Sequence, residues 1–153
     1  MATQIDTLDH QILSLLQKDA SLSVDAISDA VALSRNACWR RIKTMEGAGI
    51  IRKRVALLDA AQIGCPLSVL VMIRTDHHSD TWRKEFAIAV EALPEITAAY
   101  RMTGDLDYVL KVQLADMAAY DRFYKRLTSR ISVSDISASF VMEDIKDTTA
   151  LPL

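Results

Sequence analysis

Apolar positions recur along this chain with two different periods, and the switch between them divides it in two. The first part repeats like a helix. Ile5, Leu8, Ile12, Leu15 and Leu16 share one side of a helix over residues 5–16, with Asp6 or Thr7 available to cap its start. Ser23 suits the N-cap of a second short helix reaching Ala32, striped by Val24, Ile27, Ala30 and Val31. Leu33 and Ser34 interrupt it, and Ser34 caps a third helix, Arg35 to Glu46, whose apolar side is Cys38, Ile42 and Met45. Gly47 and Gly49 are expected to end that helix, since glycine is favoured just past a helix C-terminus. Two helices joined by so short a turn predict a helix-turn-helix. Ile50 to Leu58 then reads as a strand-like basic ribbon, a wing.

Residues 61–66 are small and contain Gly64 and Pro66, which makes them a linker. The expected division is therefore 1–60, a linker of 61–66, and a second domain of 67–153. Beyond the linker the period falls to two. Leu67 to Ile73 is apolar almost throughout and predicts a strand buried on both faces. Trp82, Phe86, Ala89, Val90 and Leu93 mark a helix from Thr81 that Pro94 stops. Strands are expected at Ile96–Met102, at Tyr108–Leu114 and from Ile136 to Met142. Between the last two lies a helix striped by Met117, Tyr120, Tyr124 and Leu127. The order βαββαβ is ferredoxin-like, an antiparallel sheet with helices on one face, so the fold class is α+β. The other face needs cover; Phe140 and Met142 are candidates for it, and subunits are expected to pair sheet against sheet.

Composition adds little until charge is located. The 153 residues are half hydrophobic with a net charge of −2, an ordinary globular profile. From Arg35 to Arg54, however, seven basic residues face one acid, Glu46, so that stretch carries +6 and the rest −8. An acidic body with one basic segment points to an anionic partner for that segment. No apolar run is long enough for a membrane span and no leader is evident, so a cytoplasmic protein with reduced Cys38 and Cys65 and no membrane partner is expected.

On the third helix, Asn36, Arg40 and Lys43 recur at spacings of four and three on a side away from the apolar one, and Arg35 extends it. Arginine reads guanine and asparagine reads adenine with paired hydrogen bonds. Ser34 and the first-turn N–H groups can hold a phosphate. Arg41 points sideways, towards backbone contact or an internal ion pair. Arg52, Lys53 and Arg54 reach phosphates from the wing. Trp39 is expected to pack beside the wing rather than touch DNA.

In the second part, Thr103-Gly104-Asp105-Leu106-Asp107-Tyr108 can hold a free amino acid. Asp105 or Asp107 would take the ammonium, and backbone N–H groups beside Gly104 the carboxylate. Tyr100 and Met102 would line the pocket, and Ser134, Ser137 and Ser139 would add hydroxyls from a neighbouring subunit. A plain hairpin turn accounts for the same loop. His77 and His78 lack the further ligands of a metal site, so neither metal nor cofactor is expected.

The runs LDHQILSLLQKDASLSVDAISDAVALSRNACWRRIKTMEGAGII and RMTGDLDYVLKVQLADMAAYDRFYKRL, with the closing FVMEDIKDTTALPL, resemble the Lrp/AsnC (feast/famine) transcriptional regulators over almost the whole chain. The turn His77-His78-Ser79 before Trp82 is similar to the branch that responds to cysteine and controls a cysteine-degrading desulfhydrase. The resemblance implies an amino-acid-responsive, sequence-specific regulator bound to pseudo-palindromic double-stranded promoter DNA. It also implies dimers assembling to tetramers or octamers, and an effector held between dimers near Gly104 and Asp105. Leu106 stands where many relatives carry an aromatic residue, which alters the pocket. Two other functions share the architecture: a sirohaem-decarboxylase-like enzyme, and an effector-independent, nucleoid-like DNA-binding protein. No nucleophile–base pair stands out to support catalysis, so the reading is non-enzymatic.

Overall fold

The computed structural model describes residues 5–153, which separate into two compact units. One runs to Leu57 and takes in Lys146–Leu153; the other is Leu58–Ile145.

The helical unit contains α1 (Thr7–Leu16), α2 (Val24–Ala30) and α3 (Arg35–Gly47). Asp6 caps α1 in a reciprocal arrangement: its side chain accepts from the Asp9 N–H, and the Asp9 side chain accepts from the Asp6 N–H. Ser23 and Ser34 cap α2 and α3 through Ala26 and Ala37. Ile12, Ile27, Cys38, Ile42 and Met45 form the buried centre, joined by Leu16 and Val31.

Helices α2 and α3 end alike. After α2, Leu33 N–H donates to the Ser28 carbonyl and Ala32 N–H to that of Asp29, with Ala32 at φ +52°. After α3, Ile50 N–H donates to Met45 and Gly49 N–H to Glu46, with Gly49 at φ +74°. Both are Schellman closures, which require a left-handed residue. One uses glycine and the other an alanine, inside the turn that sets α3 against α2. Gly47, expected to stop α3, is its last helical residue; Gly49 performs that role.

The expected wing strand is absent: after bends at Ile50 and Ile51, residues 52–58 are exposed and irregular. An extended segment becomes a strand only with a ladder partner, and none of the described residues pairs with it. Residues 59–65 form a hydrogen-bonded turn instead of a loose linker. The Asp59 carboxylate accepts from the N–H groups of Ala61 and Gln62, and Cys65 N–H donates to Ala60. The C-terminal tail groups with the helical unit, because the Gln17 side-chain amide both donates to the Leu151 carbonyl and accepts from the Leu151 N–H.

The second unit is an α+β domain of β1 (Leu67–Arg74), α4 (Asp80–Glu91), β2 (Ile96–Arg101), β3 (Tyr108–Leu114), α5 (Met117–Arg130) and β4 (Asp135–Phe140). The four strands are antiparallel in the order β2-β3-β1-β4, the expected ferredoxin-like topology. Val69, Val71, Ile73, Leu110 and Val112 meet Trp82, Phe86, Phe123 and Leu127 in the core.

Three expectations about faces change. β1 is fully buried on one side only: on the other, Ser68 is covered but Leu70 is 38% exposed and Met72 half-buried. Phe140 shares the core side of β4 with Ile136 and Ala138, its ring 5.3 Å from that of Tyr120, while Met142 lies beyond the strand and is fully open. On α5 Leu127 is buried and Tyr120 packs partly against the core as expected, but Phe123 is the other fully buried residue, while Met117 and Tyr124 are exposed. The open face therefore carries Leu70, Met72 and Val109, with Ser137 and Ser139 beside them on β4.

Candidate nucleic-acid and effector sites

Helix α3 is anchored by its apolar side, so what it presents outward follows from 3.6 residues per turn. Cys38, Ile42 and Met45 are buried; Asn36, Arg40 and Lys43 point the other way and are exposed. Among the described residues, the side chains of Asn36, Arg40, Arg52 and Lys53 have no hydrogen-bond or ionic partner. The other basic side chains are occupied. Arg35 lies 2.8 Å from Asp25, Lys43 2.7 Å from Glu46, and Arg54 3.3 Å from Glu46. These pairs are solvent-facing, so they hold weakly and can yield to phosphate. Lys43, then Arg54, draws the Glu46 carboxyl below its usual value, which keeps the one acid of the segment ionised.

Arg41 takes the internal one of its two expected roles. Its guanidinium bonds both Asp6, the N-cap of α1, and Asp9 in its first turn at 2.8 Å, and is only 29% exposed. It locks α3 to α1 and is not presented to a ligand. Ser34 Oγ accepts from Ala37 N–H at 3.3 Å, which leaves the N–H groups of Arg35 and Asn36 at the helix start. Trp39 departs from expectation: it does not pack away but stands 51% exposed.

In the α+β unit, the loop from Met102 to Asp107 joins β2 to β3. Met102 N–H donates to the Asp107 carbonyl, and Asp107 N–H to the Ile73 carbonyl at the end of β1. The two candidate carboxylates separate here. Asp107 accepts from Thr75 N–H at 2.9 Å and is committed to holding the loop. The Asp105 backbone carbonyl is held by Arg74 Nε at 2.8 Å, which leaves its exposed carboxylate without a partner among the described residues. Gly104, just before Asp105, has φ +103°, and a Cβ placed there would meet nothing within 4 Å. Thr103 is exposed beside it.

Tyr100 and Met102 are exposed near this loop. Register puts Tyr100, Val109, Met72 and Ser137 in one row across the open face. Tyr100 and Ser137 thus lie at opposite edges, roughly 14 Å apart at the usual strand spacing. Within one chain Tyr100 and Ser137 stand too far apart to grip the same small molecule. Ser139 lies on the same face, whereas Ser134 Oγ accepts from Asp76 N–H and supports the turn after β1. The His77-His78-Ser79 turn is built for α4: Ser79 caps the helix through Trp82 N–H, and His77 N–H bonds Thr75.

A helix-turn-helix with an outward basic helix, followed by a ferredoxin-like domain with a left-handed acidic loop, defines a DNA-binding regulator with a ligand-binding domain. Residues 5–52 match the winged helix-turn-helix DNA-binding family and residues 68–151 the Lrp/AsnC ligand binding domain. The DNA-binding transcriptional activator DecR of Escherichia coli is 45% identical over 97% of this chain and 99% of its own. The glutamate uptake regulatory protein of Zymomonas mobilis is 46% identical over 100% of this chain and 93% of its own. The transcriptional regulator NMB0573 of Neisseria meningitidis, solved in complex with L-Met, superposes with a TM-score of 0.92 at 35% identity, covering 97% of each chain. The chain belongs to the Lrp/AsnC family of transcriptional regulators. It joins a DNA-binding helix-turn-helix to a ligand-binding domain of the Lrp/AsnC type, and the relatives above are named as regulators. Among the described residues no helix is long and apolar enough to cross a membrane.

Proposed function

We propose that this chain is a non-enzymatic, cytoplasmic regulator that binds pseudo-palindromic promoter DNA as a self-assembled oligomer and changes occupancy when an amino acid binds. The observation that carries it is the unpaired outward set on α3, Asn36 and Arg40, standing opposite a fully buried apolar side. Asn36 and Arg40 read base edges, while Ser34, Arg35, Lys43, Arg52, Lys53 and Arg54 hold phosphates. Two copies pair through Leu70, Met72 and Val109, which supports a dimer and, through further contacts, a tetramer or octamer. Subunit pairing would also bring the β4 serines of one copy towards the loop of another.

The effector is an amino acid whose ammonium pairs with the free Asp105 carboxylate and whose carboxylate meets the backbone at Gly104. Cysteine is favoured, and a cysteine-degradation gene is the favoured target; both rest on the resemblance at residues 77–82. Binding shifts the population among arrangements of the DNA-binding heads. The test is a DNA-binding titration on the protein's own upstream region, repeated with each amino acid. One amino acid, cysteine foremost, should shift the midpoint. No shift with any would leave an effector-independent architectural protein. Tetrapyrrole absorbance in the purified sample would favour the enzyme.

A further inference from the structure

Trp39 is a large apolar side chain that the fold leaves half in water, on the basic helix α3. Its position is defined by its neighbours. Arg41 marks the flank of α3 turned to α1, through Asp6 and Asp9. Trp39 lies on the opposite flank, four residues from Arg35 and from Lys43 and three from Asn36, so it borders the unpaired outward set. An indole exposed among like charges is poorly placed to meet a second copy of the same surface, because Arg35, Arg40 and Lys43 would repel their equivalents. The surface suits an occupant with negative charge at its rim and apolar groups within. A duplex major groove offers that: phosphates along the edges, thymine methyl groups and deoxyribose carbons inside.

We propose that Trp39 is a sequence-reading residue, its indole packing on a thymine methyl group and the adjoining deoxyribose while Asn36 and Arg40 hydrogen-bond neighbouring bases. This rests on the DNA-binding reading of α3 and adds to it a preference for thymine that no hydrogen-bonding side chain of the helix supplies.

The experiment uses the full chain and duplexes it selects from a random-sequence library. Thymines in the selected site are replaced singly by deoxyuracil, which removes only the methyl group. Wild type should lose about fourfold in affinity at one position of each half-site, the effect of one buried methyl. Trp39→Ala should bind on the order of tenfold more weakly and be indifferent to that replacement. Trp39→Phe, which keeps a ring, should retain part of the sensitivity. Trp39 fluorescence should also lose its accessibility to acrylamide on complex formation, a change absent from Trp39→Phe. Retention of the wild-type thymine sensitivity by Trp39→Ala overturns the proposal while leaving DNA binding intact, as does a tryptophan still open to acrylamide in the complex. Failure of wild type to enrich any sequence overturns the specific DNA-binding reading and the proposal with it.

Discussion

The turn between α2 and α3 stores a small, measurable strain. Ala32 occupies the left-handed position of a Schellman closure at φ +52°, whereas the matching position after α3 is Gly49 at φ +74°. A left-handed residue with a Cβ costs roughly 1–2 kcal/mol. Glycine's extra freedom in the unfolded chain returns roughly 0.5–1 kcal/mol of that. Ala32→Gly should therefore stabilise the helical unit by about 0.5–1 kcal/mol, and Gly49→Ala should destabilise it by a similar amount. The environment supports simple arithmetic: Ala32 is exposed, and a Cβ on Gly49 meets nothing within 4 Å. Cys38 is a built-in reporter. It is fully buried in that core, and burial raises its thiol above the usual range, so a disulfide reagent reaches it only when the unit opens. In a Cys65→Ser background, Ala32→Gly should slow Cys38 modification about two- to fivefold and Gly49→Ala should speed it by a like factor. Unchanged or faster modification in Ala32→Gly would refute the strain argument.

Other expected outcomes follow the same structure. The Asp9 N–H, then Arg41, holds the Asp6 carboxyl below its ordinary 3.8. Its contribution is therefore present above that value and lost as pH falls through the lower native one. Cys38 modification in wild type should accelerate between about pH 5 and pH 3 after correction for the thiolate fraction, more steeply than in Asp6→Asn; equal slopes would remove Asp6 from acid unfolding. Arg40→Ala should cost about 1–3 kcal/mol of specific DNA affinity and relax preference at one base pair, read by competition against single-substitution duplexes. An unchanged preference would take Arg40 off the base edges. Asp105→Ala should abolish the amino-acid response while DNA affinity survives; a wild-type dose response would move the pocket elsewhere. Leu70→Lys with Met72→Lys should reduce the subunit count by light scattering, and an unchanged mass would clear the open sheet face of assembly.

Periodicity and caps made most of the fold legible. Ser23 and Ser34 start α2 and α3 as their residue types suggest, and β3 runs over Tyr108–Leu114 as alternation predicts. What was not legible turned on facing and partnership. Phe140 and Met142 look equivalent in sequence, yet strand β4 ends between them, so one is core and the other solvent-exposed. The ribbon after α3 looks like a strand, but strand formation needs a second segment. In the sites, the basic stripe was visible, but which cations are free depends on acids brought in from afar: Asp25 to Arg35, and Asp6 and Asp9 to Arg41. Asp105 and Asp107 are alike by composition; only the Thr75 N–H, contributed from beyond β1, separates them. Trp39 carried a signal in its spacing from Arg35, Asn36 and Lys43, outweighed by the usual tendency of indoles to bury.

The central claim is that the outward face of α3, with the basic segment after it, meets a duplex. Fluorescence anisotropy of a labelled, selected duplex, titrated with the full chain from roughly 50 to 200 mM salt, tests it directly. The account predicts that log affinity falls linearly with log salt, with a slope near −0.9 for each phosphate neutralised, and that Arg52→Ala with Lys53→Ala makes the slope shallower by about two such steps. An affinity indifferent to salt, or the same slope without those two cations, would contradict it.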